Sequence, residues 1–308
     1  MKIAVLGAGA MGSLLGGLLA EGGHEVTLIS TRAEHVELIN REGLFLEDPG
    51  GGRRVGLKAC LAAAEAGPAE LVIVAVKAPQ TREAMAGALS LVSQDTLVLT
   101  LQNGLGNVEN LVEAVGPGPV VAGTSNCGAH LKGPGRVRHA GGRGVALGEL
   151  SGLITGRLLG LGRVFEESGF APVSLSDNVL SLLWGKLLIN VAINAVTALA
   201  RIRNGQILDF PETAEISRLA VLEAVEVARR KGIALPGDPV GNAFEVARET
   251  GANFSSMLQD VARQRPTEID FINGAVVREG EALGVPTPVN KVLAGLVSVY
   301  QRTCPKEI

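Results

Sequence analysis

Three polar residues, Lys186, Asn190 and Asn194, sit four apart in an otherwise apolar run, VLSLLWGKLLINVAINAVTALA, from Val179 to Ala200. On a helix that spacing makes one slowly drifting polar stripe. Leu, Ile, Val and Ala cover the rest of the surface, as expected of a buried helix. An unpartnered buried polar group costs about 1–3 kcal/mol, and a charged one more. Three such groups would remove a sizeable part of an ordinary stability of about 5–15 kcal/mol. The stripe therefore faces a polar cleft or is satisfied by buried partners. A cationic donor in a cleft can stabilise charge developing on a substrate oxygen and deliver a proton to it. The alternative is a core helix with a snorkelling lysine, although lysine is rarely buried. A membrane span is a second alternative, but a central Lys and two Asn are expensive in lipid. No second comparable segment and no basic flank supports it.

Residues 253–273, NFSSMLQDVARQRPTEIDFIN, hold a second group. Asn253, Ser255 and Ser256 are small hydrogen-bonding residues at a helix start. Glu268 and Asp270 follow Pro266 and Thr267. Taken locally, Thr267 reads as an N-cap with acids in the first turn.

The element that must position a cofactor stands at the start of the chain. Lys2–Leu6 reads as a short buried strand. Gly7-Ala8-Gly9-Ala10-Met11-Gly12 follows at once, and SLLGGLLAEGG continues as a helix. This is GxGxxG between a strand and a helix, the context that marks a Rossmann-type dinucleotide site. The first glycine makes the tight turn, the second lets backbone approach a pyrophosphate, and the third lets helix pack on strand. The helix N-terminus supplies N–H groups and a positive dipole end.

Residues 24–30 form the second strand. An NAD-preferring site usually ends it with Asp or Glu, but here the chain reads Ser30-Thr31-Arg32. Arg32 can pair with a 2′-phosphate and the hydroxyls can add hydrogen bonds, which points to NADP. Arg32 as a solvated surface residue is the alternative. Residues 33–41 look helical, and 44–60 hold short strand-like pieces around a glycine turn. Strands follow at 70–76, 96–101 and 120–124, with a helix at 79–91. Ligands in open α/β sheets bind beyond the carboxyl ends of strands. Lys77 and Asn103 both stand at such ends, although Asn103 alone reads as a turn former before Gly104. Cys127 and His130 read as loop, and 137–139 with 145–147 resemble a hairpin. His24, His35, His130 and His139 read as structural or solvated, and no pair has metal-ligand spacing. A helix at 153–168 and a strand at 170–175 close this half. From there on all is helical, at 177–200, 212–231, 239–250, 255–263, 268–283 and 287–302. The pattern predicts an α/β Rossmann-type NADP-binding domain over 1–172 and a helical substrate-binding, catalytic domain over 173–308.

A chain of 308 residues is long for one core, which agrees with two domains. The net charge of −3 and the absence of a basic run argue against a nucleic-acid partner. Three cysteines, Cys60, Cys127 and Cys304, form no CxxC pair and are odd in number, which fits a reduced cytoplasmic protein without a structural metal. The N-terminus lacks a signal-peptide layout. The helical half is apolar enough to hide a homodimer interface.

The chain resembles the 2-dehydropantoate 2-reductases, or ketopantoate reductases, over essentially its whole length. The resemblance rests on GAGAMG at 7–12, VKA at 76–78, QNG at 102–104, WGKLLINVAIN at 184–194, RNG at 203–205, and SSMLQD with TEIDFINGAV from 255 to 276. It implies NADPH-dependent reduction of ketopantoate to D-pantoate, on the route to pantothenate and coenzyme A. It implies Lys186 and Glu268 as catalytic residues. The substrate residues it implies are Asn103, Lys186, Asn190, Asn194, Asn204, Asn253 and Ser256. The cofactor contacts are the glycine loop, Arg32, Lys77, Asn103, Ala129 and Glu268. Ser30 and Thr31 depart from the neighbours expected beside Arg32. Relatives acting on other 2-oxo acids share the scaffold, and a non-catalytic NADP sensor is the remaining alternative.

Overall fold

The structure is a computed structural model that describes residues 1–235 and 237–303. Cys304 lies outside the described residues. The chain divides into two compact units. One holds Met1–Gln102 and Asn107–Leu182, and the other Asn103–Gly106 and the chain from Leu183 onward.

The first unit runs β1 (Lys2–Leu6), α1 (Ala10–Glu21), β2 (Glu25–Ile29), α2 (Ala33–Glu42), β3 (Leu44–Asp48), β4 (Gly51–Val55), β5 (Lys58–Cys60) and α3 (Ala63–Ala66). It continues with β6 (Leu71–Val74), α4 (Thr81–Ala86), β7 (Leu97–Thr100), α5 (Asn107–Val115), β8 (Val120–Ser125) and β9 (Gly128–Gly133). The last elements are β10 (Arg136–Gly141), β11 (Val145–Glu149), α6 (Gly156–Glu167) and β12 (Val173–Ser176). Eight strands form one sheet in the order β12-β11-β8-β7-β6-β1-β2-β5. All neighbours are parallel except β8 and β11. The central strands are buried on both faces, which is why they read as unbroken apolar runs. β1 lies between β2 and β6, so the chain order reverses there and opens the crevice where such sheets bind ligands. β12 keeps the chain in this sheet as far as Ser176, past the 172/173 division that the sequence pattern suggests.

A second sheet, β4-β3-β10-β9, covers the other side of α1. Its place explains the composition of that helix. A Cβ on Gly16 would run into Leu28 of β2, and one on Gly17 would lie 3.1 Å from Leu44 and 3.0 Å from Leu46 of β3. α1 is held between two sheets and is apolar on nearly all sides for that reason.

Three local expectations are corrected here, and one helix is added. Residues 137–139 and 145–147 are not a hairpin, because β10 pairs with β9 and β3 while β11 pairs with β8 and β12. The glycine link between them, with Gly141 at φ 116° and Gly142 at φ 70°, turns the chain from one sheet to the other. His130 lies on β9, opposite Arg138, rather than in a loop. Residues 79–91 form a 3₁₀ turn, α4 and a second 3₁₀ turn, with Gly87 ending α4. Helix α5 was not anticipated by the strand-and-turn reading of its surroundings.

The second unit is helical. Its elements are α7 (Val179–Ala200, from Leu183 onward in this unit), a 3₁₀ turn (Gly205–Leu208), α8 (Pro211–Arg230), α9 (Pro239–Glu249), α10 (Ser256–Ala262), a 3₁₀ turn (Ile269–Phe271), α11 (Asn273–Leu283) and α12 (Pro288–Thr303). Trp184, Leu187, Val191, Ala195 and Ala198 of α7 share a core with Ala220, Val221, Ala224 and Val227 of α8. The alanines let the helices approach closely, and Ser217 of α8 donates to the carbonyl of Ala192 at 2.7 Å. Glu223 accepts the N–H groups of Val289 (2.8 Å) and Asn290 (3.0 Å), satisfying first-turn donors of α12 from a neighbouring helix. The expected helix at 268–283 starts later, at Asn273, after the 3₁₀ turn. Among the described residues, α7 alone is long and apolar enough to cross a membrane, and 61% of its apolar window is buried inside the protein.

Candidate active site

Residues 7–12 form the turn from β1 into α1. Gly7 has φ 104°, and a Cβ there would lie 2.6 Å from the Val76 nitrogen. A Cβ on Gly12 would collide with the Gly7 carbonyl oxygen. Those two glycines are fixed by the protein's own packing. Gly9 differs, because a Cβ there would meet nothing within 4 Å. Gly9 is exposed and N-caps α1 without a side-chain bond, and no acid stands in the first turn. The first-turn N–H groups of Ala10, Met11 and Gly12 have no partner inside the helix by geometry. Open space, several aligned donors and no competing negative charge fit the phosphates of a dinucleotide. The Gly7 and Ala8 N–H groups both donate to the carbonyl of Ile29, at 3.0 and 2.9 Å, which fixes the turn over the end of β2.

Beyond β2, the buried Ser30 hydroxyl accepts the Arg32 N–H at 3.2 Å. This local turn leaves Arg32 exposed at the N-terminus of α2, and no carboxylate occupies residues 30–32. Lys77 follows the end of β6 and N-caps the first 3₁₀ turn. Its position is braced by Gln102, whose Nε2 donates to the Val76 carbonyl at 2.7 Å and to Thr81 Oγ1 at 2.8 Å. The Gln102 amide oxygen accepts from Thr100 at 2.9 Å. Sequence reading passed over Gln102 as a site residue, although it opens the QNG motif. Ala129 lies on β9 of the smaller sheet, opposite His139 and partly buried. Among the described residues no cluster of His, Cys, Asp or Glu could hold a metal ion.

The helical unit gathers the other polar residues. Asn190 and Asn194 are buried and Lys186 is half-buried on α7. Asn190 Nδ2 donates to Asn103 Oδ1 at 3.3 Å, and the Leu105 N–H donates to the Phe271 carbonyl at 2.8 Å. Asn103–Gly106 therefore packs with the helical unit and carries Asn103 to the stripe. Asn204 is buried, with its N–H on the Asn253 carbonyl at 3.0 Å and its Nδ2 on Thr250 Oγ1 at 2.9 Å. Asn253 itself is exposed. Ser255 N-caps α10 by accepting the Leu258 N–H at 3.2 Å, and the exposed Ser256 is the first residue of that helix. Glu268 is buried just before the 3₁₀ turn. Thr267, next to it, gives its N–H and hydroxyl to Gln301 Oε1 at 3.1 and 2.8 Å. Thr197 was missed, yet it continues the stripe three residues after Asn194.

Two atoms of this cluster stand out. Asn194 Nδ2 and Asn204 Oδ1, like Asn273 Oδ1 at the start of α11, are buried without a hydrogen-bond partner. Of the two, Asn194 Nδ2 is a donor and Asn204 Oδ1 an acceptor, each left short by about 1–3 kcal/mol until something satisfies it.

A glycine turn open to phosphates, at the switch point of a parallel sheet, marks the first unit as a Rossmann-type dinucleotide-binding domain of the kind found in oxidoreductases. The profile described as "Ketopantoate reductase PanE/ApbA" matches residues 3–152, and its C-terminal counterpart matches 178–301. The chain belongs to the ketopantoate reductase PanE/ApbA family. It is 37% identical to a 2-dehydropantoate 2-reductase of Halobacterium salinarum, covering 98% of this chain and 99% of the relative. One from Pyrococcus horikoshii is also 37% identical, with 98% of each covered. A PanE/ApbA family ketopantoate reductase of Ralstonia eutropha has a similar structure, with a TM-score of 0.91, 35% identity and coverage of 98% of this chain and 99% of that one. So does a D-mandelate dehydrogenase solved with NADH and anilino(oxo)acetate, at a TM-score of 0.91, 31% identity and the same coverage.

Proposed function

We propose that this protein reduces the ketone of 2-dehydropantoate to D-pantoate, with NADPH as the reductant. The observation that carries the reading is the half-buried Lys186 one helical turn from the buried Asn190, in the unit that also holds Asn194, Asn204 and Glu268. Such a site suits a small 2-oxo acid bearing a hydroxyl, with a cationic donor for the ketone oxygen and amides for the carboxylate and hydroxyl ends. Membership of the family, and relatives named 2-dehydropantoate 2-reductase over nearly the full chain, support that substrate.

A reduced nicotinamide cofactor, when bound, would supply the hydride for the carbonyl carbon. Lys186 donates a hydrogen bond to the carbonyl oxygen and passes its proton to the alkoxide that develops there. Glu268 orients that lysine or the substrate hydroxyl. Asn190, Asn194, Asn204, Asn253 and Ser256 bind the carboxylate and hydroxyl ends, and Asn103 shares in this through its bond from Asn190. Gly7 to Gly12 hold the pyrophosphate of the cofactor, with Lys77 and Ala129 as further contacts. Arg32 pairs with the 2′-phosphate, and the lack of a carboxylate at the end of β2 supports NADPH over NADH.

A second reading is reduction of an aryl 2-oxo acid, favoured by the likeness to a D-mandelate dehydrogenase. NADPH consumption on adding ketopantoate to the purified protein, with NADH and a panel of 2-oxo acids in parallel, decides between them. Turnover of ketopantoate with NADPH well above the rest is the expected result. NADPH binding with turnover of only an aryl substrate would overturn the proposal in favour of the second reading.

A further inference from the structure

His35 has no exposed surface and is bonded through both ring nitrogens. The Gly135 N–H, in the turn between β9 and β10, donates to Nδ1 at 2.9 Å. That assigns the tautomer, since a ring nitrogen that accepts carries no proton. Nε2 therefore bears the hydrogen and gives it to Ser13 Oγ at 3.3 Å. The Ser13 hydroxyl, having accepted, donates to the Ala8 carbonyl at 3.3 Å. Every proton in the chain Gly135, His35, Ser13, Ala8 is thus placed. Burial, reinforced by the charge of Arg32, pushes the His35 pKa below its ordinary value, in keeping with a neutral ring.

The far end of the chain lies in the dinucleotide turn. The Ala8 carbonyl and the Gly9 N–H belong to one trans peptide plane and point in opposite directions. Holding the carbonyl inward on Ser13 turns the Gly9 N–H outward. Gly9 is the exposed glycine of the turn, the one whose Cβ position is open.

We infer that His35 is a positioning residue for cofactor binding, acting through Ser13 and the Ala8 carbonyl to aim the Gly9 N–H at the dinucleotide phosphates. The inference rests on the dinucleotide reading of this turn and is independent of the substrate. A structural role alone, with His35 merely anchoring the β9–β10 turn, makes a different prediction. The Asn side chain puts an acceptor near the position of Nδ1 but does not reach Ser13. The Gln side chain puts an amide nitrogen near the position of Nε2.

The test is the dissociation constant of NADPH, read by its fluorescence on binding to wild type, Ser13→Ala, His35→Asn and His35→Gln, with melting curves to establish folding. NADPH binding to wild type tests the dinucleotide reading itself, so its failure is distinguishable from failure of the inference. Ser13→Ala and His35→Asn should each weaken NADPH binding about 3- to 10-fold, the worth of one ordinary hydrogen bond. His35→Gln should stay within about 2-fold of wild type. Unchanged binding in Ser13→Ala, or tighter binding by His35→Asn than by His35→Gln, would overturn the inference. If neither histidine variant folds, Ser13→Ala alone decides.

Discussion

Thr197 on α7 donates its hydroxyl to Ser255 Oγ over 2.7 Å, and both residues are buried. The bond fixes the start of α10 against the turn of α7 that carries Asn194. Ser255 is the cap of α10 and Ser256 its first residue, so the bond sets Ser256 relative to Asn194. Thr197→Val keeps the shape and removes the hydroxyl. It should raise the KM for ketopantoate about 3- to 10-fold, in line with loss of one hydrogen bond's worth of placement. The KM for NADPH should not move, and Thr197→Ser should restore the wild-type value. Steady-state kinetics on the three proteins checks this, and a change confined to the NADPH KM would contradict it.

Lys186 should be the most costly single loss. On the proposed mechanism Lys186→Ala removes the donor to the developing alkoxide, and loss of one such donor typically costs about 100- to 1,000-fold in kcat. NADPH binding, measured by fluorescence, should persist. Near-normal turnover in a folded Lys186→Ala protein would mean that the proton comes from elsewhere.

Gly9 and Gly12 of the turn should fail in different ways. Gly9→Val adds a side chain where the protein has open space. It should fold with a melting temperature close to wild type and lose NADPH binding. Gly12→Ala drives a methyl group into the Gly7 carbonyl and should destabilise the fold by about 1–3 kcal/mol, the usual cost of overpacking. Thermal melts paired with NADPH titrations separate the two effects.

These parts of the site were legible because each rests on local sterics or on a helical period. The glycine turn reads from the chain because Gly7 and Gly12 are demanded by neighbours a few residues away or by the adjoining strand. The stripe reads because burial makes Lys186, Asn190 and Asn194 conspicuous among aliphatic residues. What stayed hidden depends on distant partners. His35 meets Gly135 across 100 positions of sequence, and Asn190 meets Asn103 across 87. No local pattern announces such pairs. The false hairpin at 137–147 has the same origin, since only the pairing of β10 with β3 and of β11 with β12 assigns the two strands to different sheets.

Arg32 gives the most direct test of cofactor choice. A charge-assisted hydrogen bond to phosphate is worth about 1.5–3 kcal/mol. Arg32→Ala should therefore raise the KM for NADPH about 10- to 150-fold. The KM for NADH should stay nearly constant, because NADH has no 2′-phosphate for the residue to meet. Equal effects on both cofactors would remove Arg32 from the 2′-phosphate site.

Glu149 at the end of β11 predicts an acid-sensitive contribution to stability. Its buried carboxylate accepts from Arg157 at 2.8 and 3.0 Å and from the hydroxyls of Thr155 and Ser151. The Arg157 hydrogen bonds, with the other contacts, hold the carboxyl below its ordinary value of 4.5, against the opposing effect of burial. A folded-state pKa lower than the unfolded one means that the unfolded chain binds the proton more readily. The stabilisation is therefore complete above about pH 4.5 and is lost as pH falls through the folded-state value. Glu149→Gln should lower stability at pH 7 by about 1–2 kcal/mol, a modest figure because Arg157 is partly exposed and screened. The gap between variant and wild type should narrow steadily below pH 4.5. Melting temperatures of both proteins across pH 3–8 give the measurement, and a gap that widens on acidification would reverse the assigned sign.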